Sequence, residues 1–333
     1  MNKKTLILTL SLGVAVSSLS FGEWALVNDF NEAADLDSVM DQTNQEGSNA
    51  RTELVDGKLA AFPGVALENT SNLFAGVDLG VDLRAASEAA EGPITLYFQL
   101  IQPTVSDGAG GTRKAILDTV FGLTHFDPEQ WTTETYNSYN AMGRINFGND
   151  NLEVRDGGSY VASGEILQAD VVYELWLDVD FFFNEVQMYV KGGQWTERTM
   201  LLGTDGNEFL GFRKVPGFEV DGTTPQTVDY FLIALSRGNL AAEKGQDPTY
   251  FDNIYVDTTG VNATSPVGDG GGFGMWGPWE IIDEAGNVDT GAWMGFVNVA
   301  ADPWIYSYSL DQWLYVDSNG ISSSGSWVYV FNY

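Results

Sequence analysis

Apolar and polar side chains alternate through many short runs of the chain, and this period of two is typical of half-buried β-strands. The clearest run covers residues 171–180, and a second alternating run covers residues 186–191. Between them lie turn residues, so the two runs predict an antiparallel hairpin with one apolar and one polar face. The polar face of the first run carries Glu174, Trp176, Asp178 and Asp180.

Runs of the same kind occur at residues 94–101, 116–123, 145–154, 228–235 and 250–257. Helical signals are few and are confined to residues 31–40 and to an N-cap pattern at 127–129. Many short strands separated by glycine-rich turns predict an all-β fold, a two-sheet antiparallel jelly-roll sandwich over residues 23–257.

The composition changes after this region. Residues 258–274 are rich in glycine and small polar residues, which predicts a flexible linker. Residues 275–333 contain no Lys or Arg and hold six of the ten tryptophans. A tripeptide recurs there as Trp304-Ile305-Tyr306, Trp313-Leu314-Tyr315 and Trp327-Val328-Tyr329.

In a strand, residues i and i+2 share a face, so each tripeptide presents Trp and Tyr together and its aliphatic residue on the other side. The segment therefore predicts a small β-hairpin module with an aromatic face. Trp304, Tyr306, Trp313, Tyr315, Trp327 and Tyr329 are the candidates for attachment to a surface polymer. The alternative is that these rings form the core of the module itself, since a short segment needs aromatic side chains to bury enough area.

The first 22 residues have the pattern of a bacterial-type signal peptide. Lys3 and Lys4 precede a dozen apolar residues, and the small residues Ser20 and Gly22 stand where a signal peptidase cleaves. A dozen apolar residues are fewer than the roughly 20 that span a bilayer. We therefore expect a mature chain that starts at residue 23 and is secreted or held on the outer cell surface.

Charge and composition exclude several classes of function. The formal net charge of -31 disfavours nucleic acid, because a polyanion is bound by neutralising its phosphates with Lys and Arg. The chain has no Cys and one His, so disulfides, thiolate chemistry and histidine-rich metal sites are excluded.

Five stretches carry a family resemblance. They are the opening Asp29-Phe30, the stretch 156–160, the run 171–180, the stretch 186–195 and the closing strand 250–257 with its central Asp252-Asn253. Together they resemble concanavalin A-like and laminin-G-like jelly rolls, which include lectins and carbohydrate-binding modules. The resemblance implies a structural Ca²⁺ held by Asp252 with Asp29; otherwise Asp252 only caps its strand. Residues 313–330 resemble the aromatic hairpin repeats with which some bacterial surface proteins attach to cell-envelope polymers.

The resemblance directs attention to carbohydrate. Sugar binding needs aromatic faces for the apolar side of the ring and acids or amides for its hydroxyls. The polar face of the predicted hairpin and the residues that follow supply both, and the candidate binding residues are Glu174, Trp176, Asp178, Asp180, Gln187, Tyr189 and Trp195. The alternative is that Trp176 and Tyr189 pack under a loop.

No catalytic residue is predicted. The Glu-x-Asp-x-x-Glu run of jelly-roll laminarinases is absent. Three short motifs that resemble those of alginate lyases occur in the same chain order, at residues 51–54, 99–101 and 189–195. In the second motif, however, Ile101 stands where those enzymes carry a His. The sequence thus favours a secreted, non-catalytic protein that binds an extracellular polysaccharide or a cell-envelope polymer. The alternatives are a polysaccharide lyase or glycoside hydrolase, and a structural adhesin or surface-layer-associated protein.

Overall fold

The structure is a computed structural model. It describes residues 23–43, 50–63, 72–107, 109–115, 118–127, 130–131, 138–146, 151–236, 247–267, 275–276, 279–280, 287–290, 294–301, 304–310, 312–316 and 328–330. The predicted signal peptide and Trp327 lie outside the described residues.

Most described residues of the first 257 belong to β-strands. In chain order the strands are β1 Ala25–Asn28, β2 Val39–Thr43, β3 Arg51–Val55, β4 Lys58–Phe62, β5 Asn72–Asp78, β6 Ile94–Ile101, β7 Thr104–Ser106, β8 Thr112–Lys114, β9 Asp118–Thr124, β10 Met142–Ile145, β11 Asn151–Asp156, β12 Ser159–Ile166, β13 Tyr173–Asp180, β14 Glu185–Gly192, β15 Trp195–Leu201, β16 Leu210–Gly211, β17 Tyr230–Ser236 and β18 Thr249–Asp257. The strands predicted from alternation are all present among them.

These strands form two large antiparallel sheets. The first sheet has the order β15-β14-β13-β6-β18-β4-β3, with β1 paired to β18 and β16 paired to β14. The second sheet has the order β12-β11-β10-β9-β17-β5-β2, and β7 with β8 forms a separate hairpin. Neighbours such as β6 and β18, or β5 and β17, are far apart in sequence, so the chain crosses between the sheets repeatedly. This is the predicted jelly-roll sandwich, which the strand order confirms.

The main core lies between the two sheets. Phe98 on β6 contacts Phe121 on β9 and Phe231 on β17, with ring centroids 5.3 and 4.6 Å apart. All three rings are buried, and aromatic pairs of this kind add about 0.5–1.5 kcal/mol beyond the area they bury. The apolar residues of the alternating runs thus face the space between the two sheets.

A second apolar cluster covers the outer side of the second sheet. Trp131 and Tyr139 lie over Phe74, Val120 and Leu232. Gly76 lets the indole approach, because a Cβ atom at that position would lie 1.9 Å from the Trp131 ring. Part of the outer face of this sheet is therefore closed by the chain between β9 and β10.

Helical structure is limited in the described residues. An α-helix, α1, spans Leu83–Ala90, and two short 3-10 helices span Ala33–Ser38 and Thr204–Gly206. Asp82 caps α1 by accepting a hydrogen bond from the Arg84 N–H at 3.1 Å. The 3-10 helix at 33–38 lies in a predicted helical stretch, whereas α1 was not predicted. No described helix combines the length and the apolar character that a bilayer crossing requires.

The C-terminal part forms a separate small sheet and one hairpin. Strands β21 Asn287–Asp289, β22 Phe296–Ala301, β23 Trp304–Ser307, β24 Gln312–Val316 and β25 Val328–Val330 pair in sequence order, and β19 Met275–Trp276 pairs with β20 Trp279–Glu280. Ile305, Leu314 and Val316 are buried with Val288 and Val297 in a small core. The predicted hairpin pattern is thus present in the described strands, and the limits of the domains stay a prediction.

Candidate functional site

The strands of the predicted sugar-binding face pair as expected. On β13 and β14, Trp176 lies opposite Tyr189 and Asp178 lies opposite Gln187. These side chains point to the outer face of the first sheet, away from the core. For Trp176 the structure shows the alternative, packing under a loop, because its side chain is only 1% exposed; Asp178 and Asp180 are also buried.

The cover over Trp176 comes from the chain itself. The Trp176 Nε1–H donates to the Thr264 carbonyl at 3.0 Å, and the Trp24 Nε1–H donates to the Thr264 hydroxyl at 3.2 Å. Asn262 is buried and its N–H donates to the Thr95 hydroxyl at 2.9 Å. Residues 258–267, which we call the covering segment, were predicted as linker but pack on the sheet.

The buried acids of this face have structural partners. Asp178 accepts from the Thr95 hydroxyl at 2.7 Å and from Arg198 Nη2 at 2.8 Å. Burial raises the pKa of Asp178, although both of these partners oppose that rise. Asp180 accepts from the N–H groups of Phe182 and Phe183 at 2.8 and 3.0 Å, which closes the turn between β13 and β14. The alternating sequence placed Asp178 and Asp180 on the polar face, but in the fold their carboxylates bind other groups of the same chain.

Trp195 also differs from its prediction. It is buried, packs in the main core, and meets Tyr173 edge to face at 6.0 Å. Tyr189 and Gln187 are half-buried, and the Arg198 guanidinium lies 3.5 Å from the centre of the Tyr189 ring. Of the predicted sugar-binding residues, only Glu174, Gln187 and Tyr189 therefore keep partial exposure.

An aromatic row crosses the same outer face. Tyr97 on β6 lies 5.2 Å from Trp176, 6.2 Å from Tyr255 and 5.9 Å from Trp24, measured between ring centroids. The register explains the row, because Tyr97 pairs with Trp176 on one side and with Tyr255 on the other. Tyr97 and Tyr255 were not singled out in the sequence, although both stand at alternate positions of predicted strands.

A chain of polar side chains runs beside the aromatic row. The Tyr97 hydroxyl donates to Glu174 Oε2 at 3.0 Å and accepts from Gln99 Nε2 at 3.1 Å. Asn253 Nδ2 donates to Gln99 Oε1 at 2.9 Å, and Asp252 accepts from the Asn253 N–H at 2.8 Å. The fold thus brings Glu174 and Asp252, which were predicted for different roles, onto one face.

Asp252 and Asp29 lie close enough for their charges to interact. Burial raises the pKa of Asp252 to about 7; Lys58 and the Asn253 N–H oppose the rise, and Asp29 adds to it. Two neighbouring carboxylates supply the hard oxygen ligands that Ca²⁺ prefers, but Ca²⁺ takes six to eight oxygens. Within the described residues, no three His, Cys, Asp or Glu side chains converge. The pair supplies two carboxylates of the donor type that Ca²⁺ prefers, which is part of the oxygen set that the ion needs.

The lyase-like residues do not converge. Tyr189 lies on β14, Gln99 on β6 and Arg51 on β3, which are separated by β13, β18 and β4 in the sheet order. Five strand spacings separate Tyr189 from Arg51, which corresponds to about 24 Å across the sheet. Arg51 is paired with Glu53 at 3.1 Å. The three residues therefore form no common site on this sheet.

A further carboxyl pair lies on the outer face of the second sheet. Glu153 accepts from Arg144 Nε at 2.6 Å and from Asn146 Nδ2 at 2.9 Å. Asp118, on the neighbouring part of this face, is 5% exposed, and its Oδ1 atom has no hydrogen-bond donor. Burial raises the pKa of Asp118 to about 6; Arg144 opposes this rise and Glu153 adds to it. Both carboxyls are buried, so substrate has no access to them.

The C-terminal sheet presents its aromatic residues to solvent. Trp304 is 42% and Trp313 is 50% exposed, whereas Ile305 and Leu314 are buried. Trp304 meets Tyr315 and Tyr306 meets Trp313, each at 5.4 Å and edge to face. The predicted alternation is confirmed for these two tripeptides. Tyr329 lies on β25 opposite Tyr315 by register.

No protein-family model matches the sequence, and no curated protein matches it. Several solved structures resemble the chain. Peanut lectin is 12% identical, with 70% of this chain and 96% of the lectin covered, at a TM-score of 0.41. The catalytic domain of a GH131 beta-glucanase from Podospora anserina is 10% identical, with 62% and 73% covered, at 0.35. A sialidase is 11% identical over 73% of this chain but only 19% of its own length, at 0.38.

Proposed function

We propose that this protein is an extracellular polysaccharide-binding protein that holds its polymer on the aromatic face of the C-terminal sheet. We call the side chains of Trp304, Tyr306, Trp313 and Tyr315 the aromatic face. The observation that carries the proposal is the exposure of Trp304 and Trp313 beside the buried Ile305 and Leu314. The small core is made by the aliphatic residues, so the fold itself does not require the tryptophans.

The chemistry of this face suits a sugar polymer. Indole and phenol rings offer flat apolar surfaces to the C–H side of a pyranose, and their polar atoms reach its hydroxyls. By register, Trp304 pairs with Tyr315 and Tyr306 pairs with Trp313 on adjacent strands, so the four rings form one continuous patch. Because the chain beyond Lys244 has no Lys or Arg, charge pairing with a polyanion is not available to it.

The sandwich contributes a second, partly open surface in this proposal. Glu174, Gln187 and Tyr189 remain half-exposed at the edges of the covered aromatic row. They supply one carboxylate, one amide and one aromatic ring, which are groups that recognise sugar hydroxyls and ring faces. Trp176, Asp178, Asp180 and Trp195 are not part of it, because the fold uses them internally.

A sedimentation assay on insoluble polysaccharides tests the proposal. The double substitution of Trp304→Ala and Trp313→Ala should reduce retention on the bound polymer by about tenfold or more for each indole, which corresponds to about 1.4 kcal/mol each. The matched control is Phe182→Ala, since Phe182 is also an exposed aromatic residue but lies on the sandwich. Unchanged retention in the double variant contradicts the proposal.

Two further assays separate the alternatives. Retention on cell envelopes that survives removal of their polysaccharide favours an adhesin that binds protein. Release of reducing ends or of unsaturated uronates from a polysaccharide panel favours an enzyme. Neither alternative has a supporting observation as direct as the aromatic face.

Calcium and the extracellular location belong to this proposal. We assign Asp29 and Asp252 as the side-chain ligands of one structural Ca²⁺, which would relieve the repulsion between two neighbouring carboxylates. The ion would tie the end of β1 to the middle of β18, because Asp29 directly follows β1. The secreted location rests on the leader-like residues 1–22.

A further inference from the structure

A cavity of about 350 Å³ opens at one end of the second sheet. It lies where β9 ends and β17 begins, so it is distinct from the aromatic face and from the outer face of the first sheet. Its lining includes His125, Phe126, Phe218, Gln226, Asp229 and Tyr230. The volume lies near the lower end of the range for small-molecule sites, and the walls combine aromatic rings with polar groups.

One wall of the cavity is a hairpin between β16 and β17 that its own hydrogen bonds hold in place. The Gly217 N–H donates to Gln226 Oε1 at 2.8 Å, and the Gln226 N–H donates to the Gly217 carbonyl at 3.1 Å. Arg84 on α1 fastens the base of this hairpin, because its Nη1 donates to the Gly217 carbonyl at 2.7 Å. The cavity is therefore formed before any ligand arrives.

The lining also contains the one histidine of the chain, His125. Asn140 Nδ2 lies 2.6 Å from His125 Nδ1 and 2.8 Å from the Lys214 carbonyl. An amide N–H₂ that faces the ring makes Nδ1 the acceptor, so the neutral ring carries its proton on Nε2. Burial lowers the pKa of His125; Lys214 and Arg84 add to this effect, while Asn140 opposes it. The imidazole is thus a neutral hydrogen-bond donor at neutral pH.

The lining of the cavity also contains acidic residues. Asp229 is half-buried, and its Oδ2 accepts from the Thr227 hydroxyl at 3.2 Å. Burial raises the pKa of Asp229, and Asp78 and Asp82 raise it further. Burial also raises the pKa of Tyr230, with added effects from Asp229, Asp78 and Asp127. The part of the cavity around Asp229 and Tyr230 therefore combines several negative charges with a half-exposed carboxylate.

Two cations lie near one side of the cavity, where Lys214 and Arg84 both affect the pKa of His125. The charges that act on Asp229 and Tyr230 are all carboxylates. Arg84 is also bound to Glu88 at 3.2 Å and to the hairpin carbonyls. Asp127 and Glu219 also line the cavity and add further negative charge. A neutral sugar would leave these charges uncompensated, and an anionic sugar would be repelled.

We propose that this cavity binds one unit of a protonated amino sugar. The ammonium group pairs with Asp229, the sugar ring rests against the aromatic wall of Phe126 and Tyr230, and a hydroxyl accepts from His125 Nε2. The binding step involves no covalent change. The inference goes beyond the polymer attachment proposed above, because it names a separate site on the sandwich and a cationic class of sugar.

The test is an NMR titration of the full-length protein, observed at the imidazole C–H signals. Because the chain has one His, these signals report His125 alone. At pH 7.5 and low salt, glucosamine should shift them to saturation, with an apparent affinity at least tenfold higher than that of glucose or N-acetylglucosamine. Added salt should weaken the binding, since the attraction is between charges.

Two variants test whether Asp229 supplies the negative charge that binds the ammonium group. Asp229→Asn should lower glucosamine affinity at least tenfold, while Asp221→Asn should leave it unchanged. Asp221 is the matched control because it lies on the same hairpin but turns to Thr223 and Thr224 rather than to the cavity. Equal affinity for all three sugars, an equal shift with methylammonium, or no shift at all would overturn the proposal. The sedimentation assay of the aromatic face is unaffected by these outcomes, so the two proposals fail separately.

Discussion

Replacing Trp176 should damage stability rather than ligand binding. The indole is 1% exposed, packs edge to face on Tyr97 at 5.2 Å, and donates to the Thr264 carbonyl at 3.0 Å. Removing a buried Trp side chain to Ala costs about 3–5 kcal/mol. The Thr264 carbonyl loses its partner as well, which adds about 1 kcal/mol. The free energy of unfolding should therefore fall by about 4–6 kcal/mol in Trp176→Ala.

Urea unfolding, followed by far-ultraviolet circular dichroism, measures this loss as a lower midpoint with an unchanged slope. Trp313→Ala is the matched control, because Trp313 is 50% exposed and its loss should change the free energy of unfolding by less than about 1 kcal/mol. Polymer retention should show the opposite order, with a reduction in Trp313→Ala and no change in folded Trp176→Ala. A loss below 1 kcal/mol in Trp176→Ala, together with lost polymer retention, would refute the assignment of this residue to the fold.

Two further predictions concern the buried carboxyls. Because the pKa of Asp118 rises to about 6 in the folded state, the folded protein binds more protons than the unfolded chain between about pH 4 and 6, and stability falls as the pH rises through that window. Asp118→Asn should therefore be more stable than the wild type by up to about 3 kcal/mol at pH 7 and similar at pH 4, whereas Glu197→Gln on the exposed side of β15 should change little at either pH. Added Ca²⁺ should raise the melting temperature of the wild type and leave that of Asp252→Asn unchanged, since an ion bound by the native state alone stabilises it. No thermal shift in the wild type would remove the calcium assignment.

Local alternation predicted the strands well because one face of each strand packs against the core. The predicted run 171–180 contains β13, and the predicted run 94–101 has the same limits as β6. The same rule placed Trp304 and Trp313 on one face of the C-terminal sheet and Ile305 and Leu314 on the other. Helix α1 was missed because its short sequence lies among glycines and acids without a long apolar stripe.

The candidate sugar-binding face shows where this reasoning stops. Alternation established that Trp176 and Asp178 point away from the core, and the structure agrees with that direction. It could not reveal that residues 258–267 return to cover them, because glycine-rich composition describes the freedom of an isolated chain and not its contacts. Asn262 is buried in that segment through hydrogen bonds to Thr95 and Asp257, which are 167 and 5 residues away.

The periodicity of the strands can be read from the amino-acid sequence alone, as can the acidic charge and the absence of Lys and Arg in the aromatic C-terminal segment. These are properties of neighbouring residues, and period-two patterns depend only on the geometry of an extended backbone. Contacts in the folded chain establish which outer face is closed, how Tyr97, Gln99 and Asn253 connect Glu174 to Asp252, and how two loops line a cavity that includes His125. Those features depend on contacts between residues far apart along the chain, and such contacts leave no local pattern.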